Sequence, residues 1–350
     1  MSTPLDAPAY PLRAFDVVTR RVEDVSSHFR RITFSGAALE RFGVPGPTKD
    51  LRIKLLIPAA GQPLRRFGGP AGQLHHGWYQ DWLRTDEPGR GFIRSYTVRA
   101  IRTAAQGPEI DIDFVLHSAG EGTSVTDGHS TADGHSGPGS EWAAGAAIGM
   151  DAVIIGPDVT AITGATAPGE TGIRWEPRGT AHVLLVGDET AVPAISSILE
   201  TLPANISGHA FLEVPDPEDF QSISTPSSVL ITWLARATTD SPRGALLEAA
   251  VRSTMVPAGS TTAPVRNTNG RDTNGGDAYG GDTYAWVAAE AATVKALRRY
   301  LVDEAGLDPK RSEFRAYWSL GKAGSGANGT PIGLEAKGRQ LSRTATAPPD

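Results

Sequence analysis

Two hydrophobic periodicities divide the chain. From Glu109 to Leu116 (EIDIDFVL) apolar and acidic residues alternate, with Ile110, Ile112, Phe114 and Leu116 on one face and Asp111 and Asp113 on the other. That period of two is the pattern of a half-buried strand. Arg52–Ile57 (RIKLLI), Arg94–Ala100 (RSYTVRA) and the short run Val153–Ile155, closed by Gly156-Pro157, read as further strands. Short strands separated by Gly and Pro predict an antiparallel β-barrel in the first half. Beyond Thr180 the pattern changes. AHVLLV (181–186) is an unbroken apolar strand that runs into GDETAVP and a helix over 191–202. Strands at 208–214, 229–234, 284–288 and near 313–318 then alternate with helices at 243–252 and 290–304. Unbroken apolar strands alternating with helices predict a parallel sheet covered on both faces. The expected organisation is a β domain over 1–158, a linker over 159–179, an α/β domain over 180–322 and a tail over 323–350. Segments 119–137 and 257–283 lack hydrophobic periodicity and read as surface loops.

Composition narrows the classes. The chain has 350 residues, 39% of them hydrophobic, enough for two cored domains. Its 40 glycines and 26 prolines imply many turns. The absence of cysteine excludes disulfides, thiolate zinc sites and cysteine-ligated iron–sulfur clusters. A net charge of −6 argues against nucleic-acid binding. No stretch resembles a signal peptide or reaches the roughly 20 apolar residues of a membrane span, so a cytoplasmic protein is expected. His75-His76 and the pair His129 and His135 lack a third ligand at metal-binding spacing and read as solvated loop residues, so no metal site of the protein's own is expected.

The residues that carry chemistry begin with Arg94-Ser95-Tyr96-Thr97-Val98-Arg99, followed by DFVLH, which ends at His117, and by Gly137-Pro138-Gly139-Ser140-Glu141-Trp142-Ala143. A flavin dinucleotide needs a flat aromatic partner, which Tyr96 can supply, and a small hydroxyl or backbone donor near its N5 edge, where Thr97 fits. Its pyrophosphate needs a guanidinium and backbone N–H groups, available from Arg94 and the Gly139-Ser140 turn. On a strand Arg94, Tyr96 and Val98 share one face, with Ser95, Thr97 and Arg99 on the other. Tyr96 also suits an ordinary core position, His117 a strand end, and Trp142 can pack beneath the turn rather than meet the ligand. In the second half, Gly187-Asp188-Glu189-Thr190 joins the first strand to the first helix, the crevice where doubly wound sheets bind dinucleotides. Cofactor contact there is expected from Gly187, Glu189 and Thr190. Arg236, after VLITWLA, is either a partner for a 2′-phosphate, favouring NADPH over NADH, or a solvated arginine.

RSYTVR, DFVLH, GPGSEWA, GDETAVPAI, YAWVAAE with RRYL after it, and AYWSLGK, in that order over roughly residues 12–322, resemble the siderophore-interacting protein family of flavin-dependent ferric-siderophore reductases, related to the ferredoxin–NADP reductase fold. Some positions depart from the family pattern. GPGSEWA stands where GPASxWA is usual, Ala289 replaces a glycine in WVAGE, and Ser319 follows YW where a basic residue is usual. The resemblance implies an FAD-binding barrel, a C-terminal NADPH- or NADH-binding domain, and a ferric siderophore as substrate. It places Ser95 among the cofactor residues and Lys54 near the substrate surface. Lys322 and Arg99 would add charge for an anionic chelate.

A nicotinamide gives up two electrons together whereas ferric iron takes one, and a flavin couples the two. Reduction weakens the hold of a hard-oxygen chelator on its iron, so the protein need not ligate the metal. A monomer without covalent nucleophile or essential general base is expected. The competing readings are a flavin reductase serving a separate protein acceptor and a non-catalytic siderophore- or nucleotide-binding module.

Overall fold

The strands of the first half pair in one antiparallel sheet. The computed structural model describes residues 10–59, 61–64, 67–85, 90–116, 137–255 and 282–320. Segments 119–136 and 257–281 and the tail lie outside the described residues, as do His117 and Lys322. The seven strands are β1 (Leu12–Asp24), β2 (Phe29–Ser35), β3 (Arg52–Ile57), β4 (Phe92–Thr97), β5 (Ala100–Ala104), β6 (Gly107–Val115) and β7 (Asp151–Pro157), in the order β4-β3-β7-β1-β2-β6-β5. The sheet curls until Tyr96 on β4 meets Phe114 on β6, ring centroids 4.4 Å apart. Its edges stay open, which makes it a half-barrel around Phe15, Ile32, Phe34, Ile53, Leu55 and Ile110. Helix α1 (Trp78–Arg84) covers the outer face, packing Trp78 and Trp82 against Leu12, Leu56 and Ile93. Helix α2 (Pro138–Ala144) closes the inner one through Ala143 and Trp142.

Three details differ from the sequence pattern, each for a physical reason. β1 and β2 were not anticipated. β1 opens with four consecutive buried residues, Leu12–Phe15, and a bulge between Thr19 and Arg21 breaks its pairing with β2, so neither strand shows a clean alternation. The expected strand 94–100 is two strands, because the chain turns a corner at Val98-Arg99. β6 is buried on both faces rather than half-buried: Asp113 pairs with Arg31 (2.6 and 2.8 Å), and Asp111 with Arg102 and the Thr33 hydroxyl.

The second half forms a parallel sheet of β8 (His182–Gly187), β9 (Ser207–Val214), β10 (Ser228–Ala235), β11 (Thr283–Glu290) and β12 (Glu313–Trp318), in the order β10-β9-β8-β11-β12. Successive side chains of a strand point to opposite faces. Accordingly Val183 and Leu185 of β8 pack with helix α3 (Val192–Leu199), while Leu184 and Val186 pack with α4 (Ala245–Thr254) and α5 (Ala291–Arg299). Helix α5 is capped by the Glu290 carboxylate and runs into a π-helical turn at Tyr300–Glu304. The strand order reverses between β8 and β11, and in such sheets ligands bind at that point, beyond the carboxyl ends of the strands.

Buried polar contacts tie the two sheets together. The Asp50 carboxylate, 3% exposed, accepts from the backbone N–H groups of Arg174 and Trp175 and from Nε1 of Trp286 (3.2 Å). Burial pushes the Asp50 pKa up, and these donors oppose it. Asp219 accepts from the Ser26 hydroxyl (2.6 Å) and pairs with Nδ1 of His28 (2.9 Å). Among the described residues no helix is long and apolar enough to cross a membrane.

Candidate functional site

β4 is an edge strand of the first sheet, and two residues past its end Arg99 contacts Ser197 and Glu200 of the second domain. Its register with β3 sets Arg94 opposite Leu55 and Tyr96 opposite Ile53, so both project to the half-barrel interior, while Ser95 faces the α1 layer. The Tyr96 ring rests on Phe114 and under α2. A Cβ at Gly139 would stand 2.2 Å from the Tyr96 hydroxyl and 3.5 Å from Cγ of Arg94, so glycine is what lets the helix approach. Burial pushes the Tyr96 hydroxyl pKa up, leaving it protonated.

Arg94 is half-buried. Its Nη1 donates to the Ile93 carbonyl (2.9 Å), and no carboxylate pairs with it among the described residues. Burial lowers its pKa, with only Tyr96 and Tyr79 acting against that. A desolvated guanidinium normally has an acidic partner. On α2, Nε1 of Trp142 is buried without a partner among the described residues, its ring stacked 6.2 Å from that of Phe34. A half-buried guanidinium without a carboxylate and a buried indole N–H without a partner, beside a half-buried aromatic ring, suit an anionic, aromatic ligand, and flavin dinucleotide fits this set. The second sheet reaches the same strand. Thr97 is 7% exposed, and on β12 burial pushes the Tyr317 hydroxyl pKa up, with Thr97 among the groups acting against it.

Other expected residues stand elsewhere. Lys54 is 3% exposed, on the face toward α1, with Nζ donating to the Ser95 hydroxyl (2.9 Å). Both residues thus point away from Arg94 and Tyr96, and Lys54 is not on an open substrate surface. Arg99 makes a two-pronged ion pair with Glu200 of the second domain (2.9 and 2.6 Å), and its carbonyl accepts from Ser197 (3.0 Å). It joins the domains rather than presenting free charge to a chelate.

The carboxyl ends of β8 and β11 hold a second constellation. Gly187 is a packing glycine, since a Cβ there would meet Ala191 Cβ at 2.5 Å and Ile195 Cδ1 at 2.9 Å. Asp188 accepts from the Thr190 and Glu290 backbone N–H groups (3.0 and 2.8 Å) and from Nε1 of Trp318 (2.8 Å). Burial, with adjacent Glu189, pushes the Asp188 pKa up to about 6. Thr190 is partly exposed, whereas Glu189 is fully buried between Arg236 and Arg243. Burial would raise Glu189, but the two guanidinium groups outweigh it and hold it low. Arg236 also reaches Glu213 (3.3 Å), so it is neither solvated nor free for a phosphate. Sequence reasoning passed over Asp50, Asp188, Glu200 and Glu213. For Asp188 and Glu213 a signal existed: an acid at the end of a strand that is otherwise nearly all apolar.

A half-barrel followed by a parallel sheet with helices on both faces is the two-domain order that the hydrophobic pattern predicts. The family described as Siderophore-interacting FAD-binding domain matches residues 18–161, and that described as Siderophore-interacting protein matches residues 180–321. The chain belongs to the siderophore-interacting protein family. It is 30% identical over 313 residues to the ferric vibriobactin reductase ViuB of Vibrio cholerae, covering 89% of this chain and 91% of that one. It is 25% identical over 237 residues to the ferric acinetobactin reductase of Acinetobacter baumannii, covering 68% of this chain and 64% of that one. Among solved structures, the siderophore-interacting protein SipS from Aeromonas hydrophila superposes with a TM-score of 0.57 at 26% identity, covering 89% of this chain and 93% of that one.

Proposed function

We propose that the protein binds FAD at the Arg94–Tyr96 strand and uses it to reduce ferric siderophores with electrons from a nicotinamide nucleotide, releasing ferrous iron in the cytoplasm. The observation that carries this reading is Arg94: half-buried, without a carboxylate among the described residues, and two positions along the strand from the half-buried Tyr96. Arg94 would hold the pyrophosphate, with the Trp142 indole N–H as a second donor to the dinucleotide. Tyr96 would hold the ring system in place, and Thr97 would lie at its edge. Bound flavin supplies the exchange between paired and single electrons. The balance is one nicotinamide oxidised, two ferric chelates reduced, one proton released. The second domain's part would be to bring the nucleotide to β4, and the bonds of Arg99 to Glu200 and Ser197 join the two domains just past that strand.

The test is anaerobic. Protein loaded with FAD is mixed with a nicotinamide nucleotide, then with a ferric chelate and a ferrous trap. Loss of the yellow absorption on adding nucleotide, followed by two trapped ferrous ions per nicotinamide oxidised, is expected. A protein that holds no FAD after reconstitution, or holds it and passes no electrons to any chelate, would overturn the proposal.

A further inference from the structure

Around the carboxyl ends of β8, β9 and β10 the second domain carries four charges, Glu189, Glu213, Arg236 and Arg243, that neutralise one another. In a doubly wound sheet an acid at the end of the strand beside the first one reads the ribose 2′-hydroxyl, and a nearby arginine accommodates a 2′-phosphate. Glu213 occupies the first of these places, near the carboxyl end of β9 beside β8, and Arg236 the second, directly after β10. Both glutamates, Glu189 and Glu213, are fully buried. Arg236 donates to Glu189 (2.8 and 3.3 Å) and to Glu213 (3.3 Å), and Arg243 donates to Glu189 from the other side. Glu213 is further held by the backbone N–H groups of Gly244 (2.8 Å) and Leu247 at the start of α4.

We infer that this locked, net-neutral cluster makes the protein select the nucleotide without a 2′-phosphate, NADH over NADPH. A 2′-phosphate brings close to two negative charges. To be held it must draw Arg236 or Arg243 away from Glu189, leaving a buried carboxylate short of its partner, which is costly. A 2′-hydroxyl demands no such exchange. The pairing of the two arginines with these glutamates therefore decides the selection. The inference rests on the nicotinamide nucleotide being the electron donor, and it names which one.

The test has a binding arm that needs no flavin. Calorimetry on the full chain with 5′-AMP and with 2′,5′-ADP should show 5′-AMP binding at least as tightly, and steady-state reduction of a ferric chelate should favour NADH in kcat/KM by tenfold or more. Glu189→Gln keeps the side chain's shape and frees one guanidinium charge. It should move both ratios toward the 2′-phosphorylated partner by about tenfold. Arg243→Gln, at a more exposed position, should move them the other way. Tighter binding of 2′,5′-ADP by the unaltered protein, or ratios that neither substitution moves, would overturn the inference. If neither nucleotide bleaches the flavin, the donor in the proposed function is wrong, while the 5′-AMP and 2′,5′-ADP pair still decides how the strand end treats a 2′-phosphate.

Discussion

Replacing Arg99 by alanine removes two charge-assisted hydrogen bonds from the seam between the domains and leaves Glu200 facing water. Hydrogen bonds to charged groups contribute about 1.5–3 kcal/mol each where both partners are buried, whereas an ion pair in open solvent contributes about 0.2–1 kcal/mol. The Arg99 side chain is 13% exposed and that of Glu200 33%, between these limits. A coupling energy of about 1–2 kcal/mol for the pair follows, after allowing for the screening of Glu200. Asp113, 4.0 Å from Nε of Arg99, keeps its two bonds to Arg31, so no buried carboxylate is orphaned. The assay is a double-mutant cycle with Arg99→Ala, Glu200→Gln and the double variant in urea, followed by tryptophan fluorescence. KM for a ferric chelate is measured on the same four proteins. A coupling near 1–2 kcal/mol with KM within threefold of the unaltered protein is expected. A coupling below about 0.3 kcal/mol together with a tenfold rise in KM for an anionic chelate would refute the reasoning and return Arg99 to the substrate.

Other substitutions probe the rest of the chain. Arg94→Ala should lower FAD affinity at least tenfold, read by flavin fluorescence on titration, with the urea midpoint of the FAD-free protein no lower, because no carboxylate loses a partner and a dehydrated charge is removed; unaltered affinity would dismiss it as a phosphate ligand. Gly187→Ala forces a methyl against Ala191 at 2.5 Å, Ile195 at 2.9 Å and the Ala288 carbonyl at 3.0 Å, and should cost about 1–3 kcal/mol in urea unfolding. For Asp188 the sign follows from its raised pKa: the unfolded chain gives up this proton near 3.8, the folded one near 6. The stabilisation from holding that proton is complete below the first value and is lost as pH rises through the second, by up to about 3 kcal/mol. Stability of the unaltered protein relative to Asp188→Asn should therefore fall between pH 4 and pH 6, and parallel curves would count against the assignment.

What the amino-acid order made legible, and what it hid, divides along a physical line. Periodicity reports whether a side chain faces a core, and the strands and α-helices of the second half could be read from it because the centres of β8 and β11 are apolar and packed on both faces. Periodicity fails where burial is achieved by charge. Asp111 and Asp113 alternate with isoleucine and phenylalanine as solvent-facing residues should, yet both are buried, since strand pairing sets Arg31 directly across from Asp113 and Thr33 across from Asp111. The partner lies some 80 residues away and only the register reveals it. The same blindness affects the site. Arg94, Lys54, Arg99 and Arg236 are equivalent as letters, four cations within strands or just after them. Folding gives Arg236 two buried glutamates, Arg99 a glutamate across the seam and Lys54 a serine on the far face, and it leaves Arg94 without an acid among the described residues. A cation that folding neutralises is part of the scaffold. One that folding dehydrates and leaves unpaired costs free energy until an anion arrives, and that distinction, not the motif containing it, makes Arg94 the residue on which ligand binding should depend.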